Sequence, residues 1–310
     1  MNVLQSPLCG KFGPSGPANF PKSPFYEHLL EWATITAMTS SEIEQLFDRT
    51  LLGDYEDEGA WDAVSALRRD GDLEIFDIAA RWLKAKEPLK RARAAAILAQ
   101  LRELASEADT VQQPKWLFRE ESFALVVEML ASEEEPMVLG DGIMALGHLY
   151  NEAGIPVIVR YKDHPVQDVR FSVACALGCF PNDPLAVSTL IQLTGDEDSD
   201  VRDWSVFGLG VQGDVDSPEI RDALLRCLSD PDEDVREEAA VGLGKRQDIR
   251  LLPKLTTMLD IPVLKERVAE AASALLGLPE DPPEWGAEDY RRALKERFGP
   301  ADRPRMTSNA

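Results

Sequence analysis

The most constraining feature of this sequence is a tripeptide that returns at nearly constant intervals. Asp168-Val169-Arg170 recurs as Asp200-Val201-Arg202 and Asp234-Val235-Arg236, and each is followed by a Leu-Gly pair: Leu177-Gly178, Leu209-Gly210 and Leu243-Gly244. Val138 with Leu146-Gly147 and Val268 with Leu276-Gly277 continue the frame, so successive Val positions lie 31, 32, 34 and 33 residues apart. Weaker copies precede them at Leu89 to Leu98 and at Ala60 to Arg68. A period of this length decides the architecture, because one such unit cannot bury its apolar face alone and has to stack on its neighbours.

Each unit holds two amphipathic stretches. The first is Leu-rich, as in Ile220, Leu224, Leu225 and Leu228, with apolar residues three and four apart as one face of a helix requires. The second begins at Asp-Val-Arg. At 100° per residue, positions +4, +7 and +8 from the Val fall on its side, so Val, the small residues and Leu form one buried stripe. Small residues there, such as Ala145, Ala176, Gly208 and Gly242, let helices approach closely. The expected fold is all-α, an α-solenoid of about seven helix pairs. The Asp of each tripeptide is expected to cap the second helix and the Arg to pair with an Asp of a neighbouring unit, which are structural roles.

These residues resemble HEAT repeats, in particular the short subtype named after phycocyanobilin lyase subunits, with Asp232 to Gly244 (DEDVREEAAVGLG) as the nearest copy of its signature. The resemblance spans about residues 55 to 278 and implies a fold far more than a function, since such scaffolds host unrelated activities. Residues 200 to 259 are also similar to bacterial HEAT-repeat proteins found beside Rhs-type toxins, some of them regarded as immunity proteins.

The ends differ from this pattern. Eight of the first 24 residues are Pro or Gly, so 1–37 is expected to be a disordered extension or a mis-assigned start, with Met38 the native one. Thr39-Ser40-Ser41-Glu42 ahead of Ile43 reads as a helix start. The solenoid is expected over 38–278. Pro279, Pro282 and Pro283 then interrupt it, and 279–310 is expected to hold a capping helix from Asp289 to Phe298 and a frayed tail.

Charge narrows the function. With 55 Asp+Glu against 33 Lys+Arg, the net charge is −22, a sign that phosphate backbones and anionic membrane surfaces repel. Residues 120–238 alone hold 26 acidic and 7 basic side chains, whereas 81–119 hold 4 and 9. The acidity is therefore assigned to the repeat turns and second-helix faces, where it would steer a basic partner. Four Cys without CxxC spacing fit a reducing compartment, and the chain is expected in the cytoplasm.

Positions +2, +6 and +10 of the second helices point away from the buried stripe and are expected to line a concave surface. They include Phe171, Cys175 and Cys179; Asp203, Phe207 and Val211; and Glu237, Val241 and Lys245, with Trp204 at their border. Phe171, Asp203, Trp204, Phe207, Glu237 and Val241 are the candidate protein-binding residues, since aromatic anchors dominate such interfaces. The competing reading is that Phe207 and Val241 only pack between second helices. Cys175 and Cys179 lie one turn apart but lack partner ligands, and His28, His148 and His164 stand alone, so no metal or cofactor is expected.

Enzymatic readings find little support in the residues. The fold resemblance extends to deoxyhypusine hydroxylases, whose iron-binding His-Glu pairs have no counterpart, because no His is followed by Glu. HEAT-like DNA glycosylases need a basic concave face. A bilin lyase subunit remains the alternative by family resemblance. The expected function is a non-enzymatic scaffold that binds a basic protein, with immunity to a polymorphic toxin as its sharper form.

Overall fold

The computed structural model describes residues 38–103, 115–260, 263–279 and 285–299. The expectations for residues 1–37, which include Cys9 and His28, and for the tail from residue 300 lie outside the described residues.

Secondary structure among the described residues is helical apart from one isolated bridge between Arg102 and Trp116. The helices follow one another as seven consecutive pairs and a final one. They are α1 (Ser40–Arg49) and α2 (Glu58–Arg69), α3 (Leu73–Trp82) and α4 (Pro88–Leu98), α5 (Arg119–Leu130) and α6 (Pro136–His148), and α7 (Ile155–Val159) and α8 (Gln167–Gly178). Then come α9 (Pro184–Leu193) and α10 (Ser199–Phe207), α11 (Pro218–Cys227) and α12 (Glu233–Lys245), α13 (Leu252–Met258) and α14 (Glu266–Leu276), and α15 (Ala287–Phe298). They form two compact units, one ending at Ala186 and the other beginning at Val187.

In the first unit α2, α4, α6 and α8 stack as successive second helices, each backed by the helix before it. In the second unit α10, α12 and α14 stack in the same way, α11 and α13 back them, and α15 packs on α14. The expected stripe is the core: Val169, Val173, Ala176 and Leu177 are buried, as are Val235, Ala239, Gly242 and Leu243. Gly242 is there because a Cβ on it would lie 2.7 Å from the Cα of Gly210, so only Gly lets α12 approach the preceding repeat this closely. The all-α solenoid read from the period is the fold.

Local signals set the boundaries. Thr39 caps α1 in a reciprocal box: its side chain accepts from the Glu42 N–H, and Glu42 accepts from the Thr39 N–H at 2.8 Å. The capping role given to the Asp of each Asp-Val-Arg is corrected. Asp198 and Asp232 are the N-caps, accepting from the N–H groups of Asp200 and Val201 and of Asp234 and Val235. Asp200 and Asp234 sit two residues later, in the first turn, where a carboxylate faces the positive end of the helix dipole. α8 has Val166 at its N-cap and no side-chain cap.

Candidate functional site

The Arg of each tripeptide forms a repeated brace. Its Nη1 donates to the carbonyls six and five residues back: His164 and Pro165 for Arg170, Asp196 and Glu197 for Arg202, Asp230 and Pro231 for Arg236. Arg91 of α4 does the same to Ala85 and Lys86, which identifies the weak upstream copy as a true repeat. In Arg202 and Arg91 the free edge of the guanidinium reaches the next repeat. Arg202 grips Asp230 with two bonds of 2.8 Å, and Arg91 grips Glu133 at 2.7 and 3.0 Å. This fork-to-fork geometry fixes adjacent turns against each other. Burial pushes the Asp230 carboxyl up, but the bonds from Arg202 outweigh it and hold the group below the ordinary carboxylate range.

The exposed strip expected on the second helices is corrected. Val241 is fully buried, Phe207 is 5% exposed and Glu237 is 7% exposed. The helical wheel allowed for packing on one side, whereas α12 is clasped by α10 and α14 as well as by α11. Val241 and Phe207 are core, as the competing reading has it. Glu237 is held by Lys265 at 2.7 Å, and the same ammonium binds Glu233 at 2.7 Å. Beside it, Glu238 receives Arg267 at 2.6 Å, and Arg267 also binds Glu270 and lies 5.9 Å from the ring of Phe207. Glu237 and Glu238 are thus neutralised by Lys265 and Arg267 at the start of α14, whereas Asp234 in the first turn of α12, Asp200 in the first turn of α10 and Glu197 in the turn before α10 are exposed.

Asp203 and Trp204 on α10 are half-buried, and the Trp204 ring meets Phe207 edge-on at 5.5 Å. Phe171, half-buried on α8, belongs to the first unit. Of the six candidates, Phe171, Asp203 and Trp204 therefore keep solvent-facing surface.

Two features escaped the sequence reading. The first is Arg246, which closes the turn after α10. There the chain widens into a π-helical turn over Gly208–Gln212, and the Arg246 guanidinium donates to the carbonyls of Leu209, Gly210, Gly213, Val215 and Gly242 at 2.7–3.1 Å. The second is a buried polar cluster in the first unit. Arg93 is fully buried on α4, Asp141 is 3% exposed on α6, and Arg68 is 6% exposed on α2. The Tyr55 hydroxyl, from the loop after α1, donates to Asp141 Oδ1 at 2.7 Å. Arg93 donates to the carbonyls of Thr50 and Tyr55, and its guanidinium lies 4.8 and 4.3 Å from the Tyr55 and Trp61 rings. Burial drives the Asp141 carboxyl up to about 7, against the opposing pull of Tyr55 and both Arg, and drives the Arg68 guanidinium down to about 10.

A family model described as HEAT repeats matches residues 123–210 and 187–276. The chain is a HEAT-repeat protein. Its fold is similar to the X-ray structure of YibA of Escherichia coli, with 21% identity, a TM-score of 0.61, and coverage of 90% of this chain and 98% of YibA. A designed armadillo repeat protein is 16% identical over 64% of this chain and 96% of its own, with a TM-score of 0.40. Human deoxyhypusine hydroxylase, solved in complex with glycerol, is 19% identical over 82% of this chain and 95% of its own, with a TM-score of 0.32, too low to bear on activity. No curated protein matches the sequence. Among the described residues of this HEAT-repeat protein, no group of three or more His, Cys, Asp and Glu is placed to hold a metal ion. No described helix is long and apolar enough to cross a membrane.

Proposed function

We propose that this HEAT-repeat protein is a non-enzymatic scaffold that docks a basic protein partner through its second helices and repeat turns. The observation that carries the reading is Trp204, a large aromatic side chain only half-buried on a helix whose other large apolar residue, Phe207, is buried. Trp anchors of this kind supply much of the energy of protein interfaces. The second unit offers Asp203 beside Trp204, with Glu197 exposed before α10 and Asp200, Glu233 and Asp234 exposed in the first turns of α10 and α12, and Phe171 is the aromatic residue proposed to face a partner on the first unit. Phe207, Glu237 and Val241 act from beneath, by holding the helices that present these groups. A net charge of −22 draws a basic partner in at long range and accelerates encounter more than it adds to affinity.

The sharper form of this reading is immunity. A chain this acidic suits a role in attracting and blocking a basic toxin domain, in line with the likeness of residues 200 to 259 to HEAT-repeat proteins beside Rhs-type toxins. Affinity capture with the full chain and with Trp204→Ala tests the scaffold reading: a basic protein held by the native chain is expected to be lost or weakened at least tenfold in the variant. Retention of every partner by Trp204→Ala rejects this interface. Co-expression with a toxin encoded by an adjacent reading frame tests immunity separately, and unchanged killing rejects it.

A further inference from the structure

The loop between α1 and α2 is fastened to the second helices by few groups. It turns at Gly53, whose φ of 72° lies in the left-handed region, and it carries Tyr55 half-buried beneath its exposed tip. Three side chains hold it. Arg93 donates to Thr50 O at 3.0 Å and Tyr55 O at 2.8 Å, Trp61 Nε1 donates to Tyr55 O at 2.9 Å, and the Tyr55 hydroxyl donates to Asp141.

Asp141 is the unusual member. Its carboxyl is buried and takes one hydrogen bond, on Oδ1, while Oδ2 has no partner among the described residues, and neither do Arg68 Nη2 and Arg93 Nη1. Both guanidinium groups act on the carboxyl through space without forming an ion pair with it. A carboxylate in this position lacks the bonds that would replace its hydration, so the closed loop favours the neutral acid, and water reaching the group favours the ion.

We propose that Asp141 is a proton-controlled latch on the first unit: neutral, it allows the Tyr55 loop to stay closed, and on losing its proton it favours opening of the loop. The groups that face it are Tyr55 and Glu56 from the loop, Arg68 from α2 and Arg93 from α4. Its flanking residues on α6 look elsewhere, Gly140 towards Ser172 of α8 and Gly142 towards Met129 and Leu130 of α5, and α7 packs with Ile155 and Ile158, none of them charged. Because burial drives the closed-state carboxyl up to about 7, while water returns it to its ordinary range near 4, opening becomes more frequent as pH rises between these values and levels off above them.

Hydrogen exchange of the full chain, followed by mass spectrometry on peptides covering residues 50–57 and 136–148, tests the latch. After correction for the intrinsic pH dependence of amide exchange, opening is expected to rise by up to about tenfold per pH unit from pH 5 to pH 7 and then flatten. Asp141→Asn, which keeps the acceptor for Tyr55, is expected to remove this dependence. Tyr55→Phe removes a bond that favours the ion and is expected to move the plateau to higher pH. A flat profile in the native chain overturns the proposal. If Asp141→Asn does not fold, ¹³C titration of the Asp carboxyls in the native chain and in Tyr55→Phe decides: a group titrating near pH 7 that moves upward in the variant supports the latch, and its absence rejects it.

Discussion

Asp141 in the first unit and Glu238 in the second occupy the same place in their repeats, three residues after Val138 and Val235, and both are buried. They meet that burden differently. Glu238 is matched at 2.6 Å by Arg267 of the next repeat, which also binds Glu270. Asp141, one methylene shorter, is met by a loop hydroxyl, and the nearby Arg68 and Arg93 spend their bonds on backbone carbonyls. One register position can therefore hold a structural ion pair or a carboxyl poised to change charge, depending on what the adjacent repeat supplies.

The largest expected loss of stability comes from removing the partner on the paired side. Arg267→Ala removes the ion-pair partner of the buried Glu238 carboxylate and is expected to destabilise the second unit by about 3 kcal/mol, measured by chemical denaturation. A loss below about 1 kcal/mol would mean that Glu238 is as loosely held as Asp141, and the contrast would collapse.

The opposite sign is expected in the first unit. The folded-state value of Asp141 is raised, so its neutral form favours folding, and that contribution is lost as pH rises from about 4 through about 7. Asp141→Asn is therefore expected to stabilise the first unit at pH 8, by up to about 4 kcal/mol, with the difference vanishing towards pH 4. Destabilisation at pH 8, read by hydrogen exchange within residues 38–186, contradicts this.

A smaller effect separates the units on the acid side. Arg221 holds Asp216 low, Arg250 holds Asp248 low and Lys265 holds Glu233 low, while at Asp230 burial pushes up but Arg202 prevails. Groups depressed in this way contribute stability above their unfolded values and lose it as pH falls through their folded ones, so the second unit should loosen below about pH 4. In the first unit Arg91 similarly overrides burial at Glu133, but Asp141 is already neutral there. Exchange at pH 3 and pH 5 is expected to change more in residues 187–299 than in 38–186, and equal changes would erase the distinction.

Trp204→Ala should disturb folding least, by about 1 kcal/mol or less, because the side chain is only half-buried and its ring packs edge-on against Phe207. A near-native melting temperature with partner capture abolished would separate binding from stability.

Much of the fold was legible because its signals are local and periodic. The Val frame placed the second helices, and the small residues at 176 and 242 marked close helix contacts. Thr39 and Glu42 marked the first helix start. The candidate site was legible only in part. Phe171, Asp203 and Trp204 keep solvent-facing surface, but Phe207, Glu237 and Val241 do not, since a wheel drawn for one helix cannot count the neighbours on either side. The Asp141 cluster carried no sequence signal: its members come from positions 55, 68, 93 and 141, each unremarkable in its own segment. Arg246 was equally silent, since its five acceptors are backbone carbonyls and have no residue-type signature.

By itself the sequence determined a repeated helix pair, a core stripe and an acid-rich set of turns, because propensity, capping and 3.6-residue periodicity act over a few residues. Only the tertiary structure decided which charges are neutralised and which faces remain wet. Those outcomes depend on distances between groups some 28 to 86 residues apart, such as Arg202 with Asp230 and Tyr55 with Asp141, and on the loss of water that makes each pairing matter.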